Sequence, residues 1–200
     1  MSTTGIDPLT LLSRALEQAH LAIEQAGKAD IDSPTPCRSW NLRTLTNHLV
    51  HDLTNFTTSA SGGKPDYQAA IPEVHGDPAA AFRQGADELL NAWRGSGDLT
   101  RTVRLPLGDV PASFLVSHQT TELAVHAWDI ATATGQTVDW DQDVAASSLA
   151  WARTALKPEF RGDETSGHAF GPEVQPAPDA SAQEQLVAFF GRHPNSTASG

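Results

Sequence analysis

The sequence predicts an all-α fold with four main helices, short additional helices and a minor hairpin. Apolar residues recur at helical spacing in several successive segments, and Pro- and Gly-rich breaks separate these segments. One stretch alone, residues 96–113, suggests a short strand or two. A single hairpin is only marginally stable by itself, so the helices must form the core.

The first two helices carry clear start and stop signals. Asp7 and Pro8 open the first as N-cap and first-turn proline, and Gly27 ends it. Asn41 is a good N-cap for the second, which runs to the pair Gly62-Gly63. The inward face of this second helix carries Leu42, Leu45, Leu49, Leu53 and Phe56.

The rest of the chain predicts three longer helices and one short one. They cover about 78–93, 113–134 and 141–156, and then "AQEQLVAFFG". The Pro- and Gly-rich residues 157–181 are expected to wrap the surface. We predict one domain over residues 1–194, followed by a polar tail over 195–200.

Composition excludes several classes of function. The net charge of −11 argues against nucleic acid and against anionic membranes as partners. No apolar run approaches the ~18 residues of a membrane span, and "MSTTGIDPLT" does not resemble a signal peptide. With a single cysteine, these features favour a cytoplasmic protein. They leave open whether it is a monomer or a homodimer.

The fourth helix carries an unusual stripe of ionisable residues. His118, Glu122, His126 and Asp129 follow at spacings of four, four and three. They span only ~80° of the helix circumference, and no lysine or arginine lies among them. Two interpretations compete, an exposed polar stripe and a metal site.

Helix geometry limits which of these residues one metal ion can bind. His118 and His126 lie ~12 Å apart along the axis, too far to share an ion easily. Glu122 and one histidine can share it, so a third ligand must come from another helix. His48 is the candidate, on the inward face of the second helix with Asp52, whereas His51 is rotated ~60° away. A lone histidine on such a face is more often an ordinary core residue, but the facing Glu-x-x-x-His pair favours a ligand.

Two segments resemble the signatures of a known family. "TPCRSWNLRTLTNHLV" and "TELAVHAWDIATATG" are similar to the mycothiol-dependent maleylpyruvate isomerase N-terminal domain, in the DinB-like superfamily. The closing segment is similar to a short, mainly actinobacterial branch of that family. The resemblance implies a DinB-like up-down four-helix bundle that holds a divalent metal, usually zinc, with nickel as an alternative. The family's ligand positions fall on His48, Glu122 and His126.

The resemblance also implies a type of chemistry. Its characterised members use mycothiol or bacillithiol for isomerisation or S-transfer, and the metal keeps a position open for the thiol or for water. The leading hypothesis is therefore a thiol-dependent S-transferase or isomerase acting on an electrophilic small molecule. A hydrolase that uses metal-activated water and a non-catalytic metal-binding module are the alternatives.

The remaining candidates surround this predicted centre. Asp129, Asp52, His51 and His118 are candidates to hydrogen-bond or orient the metal ligands. Cys37 precedes a helix start, but the family position suggests a buried packing residue. Arg161 and His168 are expected on an ordinary surface loop, with closure over the pocket as the alternative.

Overall fold

The computed structural model describes residues 5–105, 108–162 and 170–194 and confirms the all-α bundle with its hairpin. Each predicted helix is present, with ends that differ from the predicted ones by no more than about three residues. The elements are α1 (Pro8–Gln25), α2 (Leu42–Ala60), α3 (Pro78–Ser96), β1 (Thr102–Leu105), β2 (Gly108–Pro111), α4 (Ala112–Ala133), α5 (Gln142–Ala155) and α6 (Ala182–Phe189). Single 3-10 turns occupy Ala26–Lys28 and Pro158–Phe160.

The helix starts follow from local side-chain capping. The Asp7 carboxylate accepts a hydrogen bond from the Thr10 backbone N–H at 2.9 Å, which satisfies a donor that the first turn leaves unpaired. The Asn41 side chain accepts the corresponding bond from Thr44 N–H, also at 2.9 Å. These caps set where α1 and α2 begin, and the spacing of the apolar residues sets which face each helix buries.

Four helices form the bundle, and the other two cover one side of it. α1 packs against α3 and α4, and α2 packs against the same two helices from the opposite side. α5 packs on α4 and α1, while α6 packs on α5 and α4. The α4 helix is therefore enclosed by neighbours, which is why it is apolar over most of its circumference.

The two strands form an antiparallel hairpin, in which Thr102 pairs with Pro111 and Leu105 with Gly108. This hairpin leads directly into α4. None of the described helices is both long enough and apolar enough to span a bilayer.

Candidate metal centre

The three predicted ligands meet between α2 and α4. One donor atom from each of His48, Glu122 and His126 lies within 4.8 Å of the other two. His126 Nε2 is 3.3 Å from Glu122 Oε2, and His48 Nε2 is 3.9 Å from that same oxygen. Donors bound to one tetrahedral zinc ion at ~2.0–2.1 Å lie about 3.3 Å from each other, so this arrangement is close to what zinc needs.

The hydrogen bonding of His48 also fits a metal ligand. Its side chain is 14% exposed, and its buried Nε2 makes no hydrogen bond. A buried polar atom without a partner is uncommon and calls for an explanation. A cation bound there by His48, Glu122 and His126 would supply one.

A buried ion pair between Asp129 and Arg192 holds His126 in place through its Nδ1 atom. This Nδ1 lies 2.9 Å from Asp129 Oδ2, and Asp129 is completely buried. Arg192, also buried, donates from Nε to Asp129 Oδ1 at 3.2 Å and from its terminal nitrogen to Oδ2 at 3.0 Å. Burial alone raises the Asp129 pKa, but the Arg192 charge and the contact with His126 together lower it, so the carboxylate is held ionised.

A glycine turn after α6 places Arg192 in the core. Gly191 adopts a φ of 84°, and the Arg192 N–H donates back to the Val187 carbonyl at 3.0 Å. A Cβ on Gly191 would lie 2.9 Å from the Gly171 backbone. The chain can therefore reverse here only with glycine, and the reversal directs Arg192 toward α4.

The charge state of the ligands follows from their contacts. Burial alone raises the pKa of Glu122, but its close contacts with His118, His126 and His48 hold that pKa well below its usual range. Burial alone lowers the pKa of His126, but its bonds to Asp129 and Glu122 raise it to about 9. Without a metal, the site is therefore an imidazolium between two carboxylates.

The other predicted neighbours of the centre occupy different positions. His118 Nε2 lies 3.6 Å from Oε1 of Glu122, on the side away from the other two histidines. His51 hydrogen-bonds to Asn55 at 3.3 Å instead of facing the centre. Asp52 Oδ2 lies 3.5 Å from His48 Nε2, the nitrogen that also faces Glu122, so it contacts the metal-facing side of the ring. Burial raises the Asp52 pKa.

Cys37 is buried, as predicted, and lies nearer the centre than its place in the sequence indicates. Its sulfur and donors of His126 and Asp129 lie within 4.8 Å of one another. This second group is poorly suited to a cation, because Arg192 bonds to both Asp129 oxygens and Asp129 occupies His126 Nδ1. The donor set formed by His48, Glu122 and His126 is therefore the better metal site.

Of the two residues predicted on the late surface loop, Arg161 lies among the described residues and His168 does not. Arg161 donates to the Phe189 carbonyl at 2.6 Å, and its guanidinium packs over the Phe189 ring, so it braces the late segment against α6. It is not among the residues that line the cavity beside the centre. His168 and the tail over 195–200 lie outside the described residues.

A cavity of about 430 Å³ opens beside the three ligands. Trp40 forms part of its wall, with its ring centroid 4.4 Å from that of His48 and 5.9 Å from that of His126. The remaining lining comes from Cys37 and Ser39 in the same connector, from α2 and α4, from Tyr67, and from the segments on either side of α6. A ligand in this cavity would lie directly against the predicted metal position.

Comparison with known proteins agrees with this geometry. Residues 12–131, more than half of the chain, match the family model described as the mycothiol maleylpyruvate isomerase N-terminal domain. The chain belongs to this family. Two uncharacterized proteins from two strains of Mycobacterium tuberculosis are each 34% identical to it over 188 residues, which is 94% of this chain and 98% of each relative. No solved structure matches it.

The matched range contains the predicted site residues, and it does not contain Arg192. The matched range of the mycothiol maleylpyruvate isomerase N-terminal domain contains His48, Glu122, His126 and Asp129. Arg192 lies beyond that range, and we did not predict its role from the sequence. The available signal was an arginine directly after a glycine that ends an apolar helix. Trp40, which we did not predict as a site residue, packs against the core and also lines the cavity.

Proposed function

We propose that the protein is a metal-dependent S-transferase or isomerase that uses a mycothiol-type thiol to attack an electrophilic small molecule. The observation that carries the proposal is the convergence of His48, Glu122 and His126 at the wall of a 430 Å³ cavity. Its support from the comparisons is the mycothiol-related family to which the chain belongs.

The donor set suits catalysis better than a purely structural role. Two histidines and one carboxylate are typical of zinc sites that keep a position for an exogenous ligand, whereas structural sites are usually closed by a fourth side chain. Zinc bound here would lower the thiol pKa and hold the sulfur as a thiolate. Because this donor set is typical of zinc sites, we propose zinc as the native metal, with nickel as the alternative.

The protein's own residues would orient the reactants. Asp129 accepts from His126 Nδ1 and so leaves Nε2 with its lone pair toward the centre. The electrophile would occupy the cavity next to Trp40. The thiol proton passes to solvent, a carbon–sulfur bond forms, and in S-transfer the leaving group departs with its electron pair. In isomerisation the thiolate would add to one carbon of a carbon–carbon double bond, the resulting single bond would rotate, and loss of the same thiolate would restore the double bond.

Cobalt substitution tests the thiol step directly. Cobalt-loaded protein should develop a sulfur-to-cobalt charge-transfer band when mycothiol or 2-mercaptoethanol is added. Ethylene glycol, which has no sulfur, is the matched ligand control. The band should persist in Cys37→Ser, which excludes Cys37 as the source of the signal. If no thiol changes the spectrum of a cobalt-loaded sample, the hydrolase or metal-binding-module interpretation replaces the transferase.

A further inference from the structure

The cavity beside the centre is lined mainly by apolar and aromatic surface. Its aromatic and aliphatic lining residues are Trp40, Phe56, Tyr67, Val125, Phe170 and Phe190. Such a wall stabilises an apolar ligand by removing it from water. The polar part of the lining includes Glu122 and Asp52 together with the two histidine ligands.

Positive charge is scarce in this cavity. All thirteen lysines and arginines of the chain fall within the described residues, and Arg192 is the one that contributes to the lining. Its guanidinium bonds to both Asp129 oxygens and donates to the Phe190 carbonyl at 2.9 Å, and the residue is 4% exposed. The charge of Arg192 is therefore already balanced by Asp129.

A further histidine in the lining, His118, does not add an unmatched cation. His118 is partly exposed, and its Nε2 lies 3.6 Å from Glu122 Oε1. The His118 ring therefore already lies beside a carboxylate. An incoming anion would find no unmatched cationic side chain among the described residues that line the cavity.

The proposed metal does not supply a spare positive charge either. A divalent ion bound by neutral His48, neutral His126 and ionised Glu122 leaves one net positive charge at the centre. One thiolate neutralises that charge. A carboxylate that entered next would lose its hydration without gaining an ionic partner, which is strongly unfavourable.

We propose that the second substrate of this site is an uncharged, largely apolar electrophile, and that mono- and dicarboxylates bind poorly. The inference rests on the proposed function, because it is the bound thiolate that neutralises the positive charge of the centre. It predicts that the site distinguishes a neutral ligand from a negatively charged ligand of the same shape. The compounds expected to fit are esters, ketones, epoxides or alkyl halides with an aromatic or aliphatic body.

A pair of unreactive probes with the same skeleton tests this charge selectivity. Methyl 3-phenylpropanoate is neutral, and 3-phenylpropanoate carries a carboxylate on the same frame. Calorimetric titration should use zinc-loaded protein with excess 2-mercaptoethanol, so that the carboxylate cannot simply occupy the metal. We expect the ester to bind at least about tenfold more tightly than the acid, a difference of roughly 1.4 kcal/mol.

Ser39 offers a matched pair of variants at the cavity rim. It lines the cavity, is exposed and lies outside the ligand set. Ser39→Lys adds a cation there and should strengthen binding of the acid. The ratio of the ester's affinity to the acid's affinity should therefore fall. Ser39→Gln adds a neutral side chain of comparable reach and should leave the ratio unchanged.

The outcomes separate this inference from the proposed function. Equal or tighter binding of the acid by the native protein would overturn it, and so would no measurable binding of the ester at millimolar concentration. Elemental analysis and the cobalt band, recorded on the same preparations, report independently on the metal and the thiol. If those two fail while the ester is still preferred, the cavity keeps its charge selectivity and only the thiol chemistry is lost.

Discussion

His126 Nδ1 lies 2.9 Å from Asp129 Oδ2, and this contact decides which nitrogen of His126 can bind a metal. A carboxylate accepts hydrogen bonds, so Nδ1 carries the proton in the neutral ring and Nε2 keeps its lone pair. Nε2 is the atom that faces Glu122 Oε2 at 3.3 Å. Arg192, in the turn that follows α6, forms an ion pair with Asp129 and holds it in place.

Loss of either histidine ligand should remove the metal. We expect about one divalent ion per chain in the native protein and little in His48→Ala or His126→Ala, because two donors bind zinc much more weakly than three. Elemental analysis after dialysis measures this. His51→Ala is the matched control, since His51 is on the same helix but bonds to Asn55. Full retention of metal in either ligand variant would exclude that residue from the site.

Asp129→Asn should weaken metal binding without abolishing it. The amide cannot compensate the Arg192 charge and is a poorer acceptor for His126, and loss of such a partner typically costs ~10–100-fold in metal affinity. Competition with a chromophoric chelator measures the change. Asp109→Asn, at an exposed position on β2, should have native affinity. An unchanged affinity in Asp129→Asn would mean that the pair does not support the metal.

Metal affinity should continue to rise with pH beyond the ordinary range of histidine. The His126 pKa is raised from 6.5 to about 9 in the metal-free protein, so a proton competes with the metal up to that pH. Chelator competition at several values between pH 6 and pH 9 should show this rise. Affinity that is already constant above neutral pH would contradict the raised pKa.

The same pKa shift has a consequence for the stability of the metal-free protein. A raised pKa means that the folded state binds the His126 proton more tightly than the unfolded state does. This contribution to the free energy of unfolding is complete below pH 6.5 and is lost as pH rises through about 9. Denaturant titrations of metal-free native protein and His126→Gln should therefore converge at the alkaline end of this window. A constant difference between them would argue against the shift.

Cys37→Ser should retain its metal. The sulfur lies near His126 and Asp129, but those residues are already bonded to each other and to Arg192. The substitution should mainly affect packing, because Cys37 is buried. Elemental analysis, with circular dichroism to establish that the variant is folded, measures this. Metal loss in a folded variant would assign Cys37 to the ligand set.

Gly191→Ala should destabilise the fold and weaken metal binding together. A left-handed conformation costs a residue with a Cβ roughly 1–2 kcal/mol, and the added carbon would meet the Gly171 backbone at 2.9 Å. The displaced turn would withdraw Arg192 from Asp129. Gly27→Ala, where a Cβ meets nothing within 4 Å, is the control for thermal unfolding and metal affinity. Normal metal affinity in Gly191→Ala would separate the turn from the centre.

The sequence alone determined the helices and the candidate ligands, because both depend on local spacing. Caps such as Asp7 and Asn41 act within three residues, so they were recognisable without any tertiary information. The Glu122–His126 pair is separated by four residues on one helix, and helix geometry brings such pairs together. The same periodicity predicted that His51 is rotated away from the face that carries His48.

The tertiary structure alone decided how the centre is supported and what its cavity admits. Arg192 meets Asp129 across 63 residues, through a turn whose shape depends on packing against Gly171. Cys37 and Trp40 reach the centre from a connector that has no helical periodicity to predict its path. Long-range contacts of this kind depend on how the helices pack, and local spacing carries no record of that packing. The charge balance of the cavity follows from these contacts, so it became visible only in the folded chain.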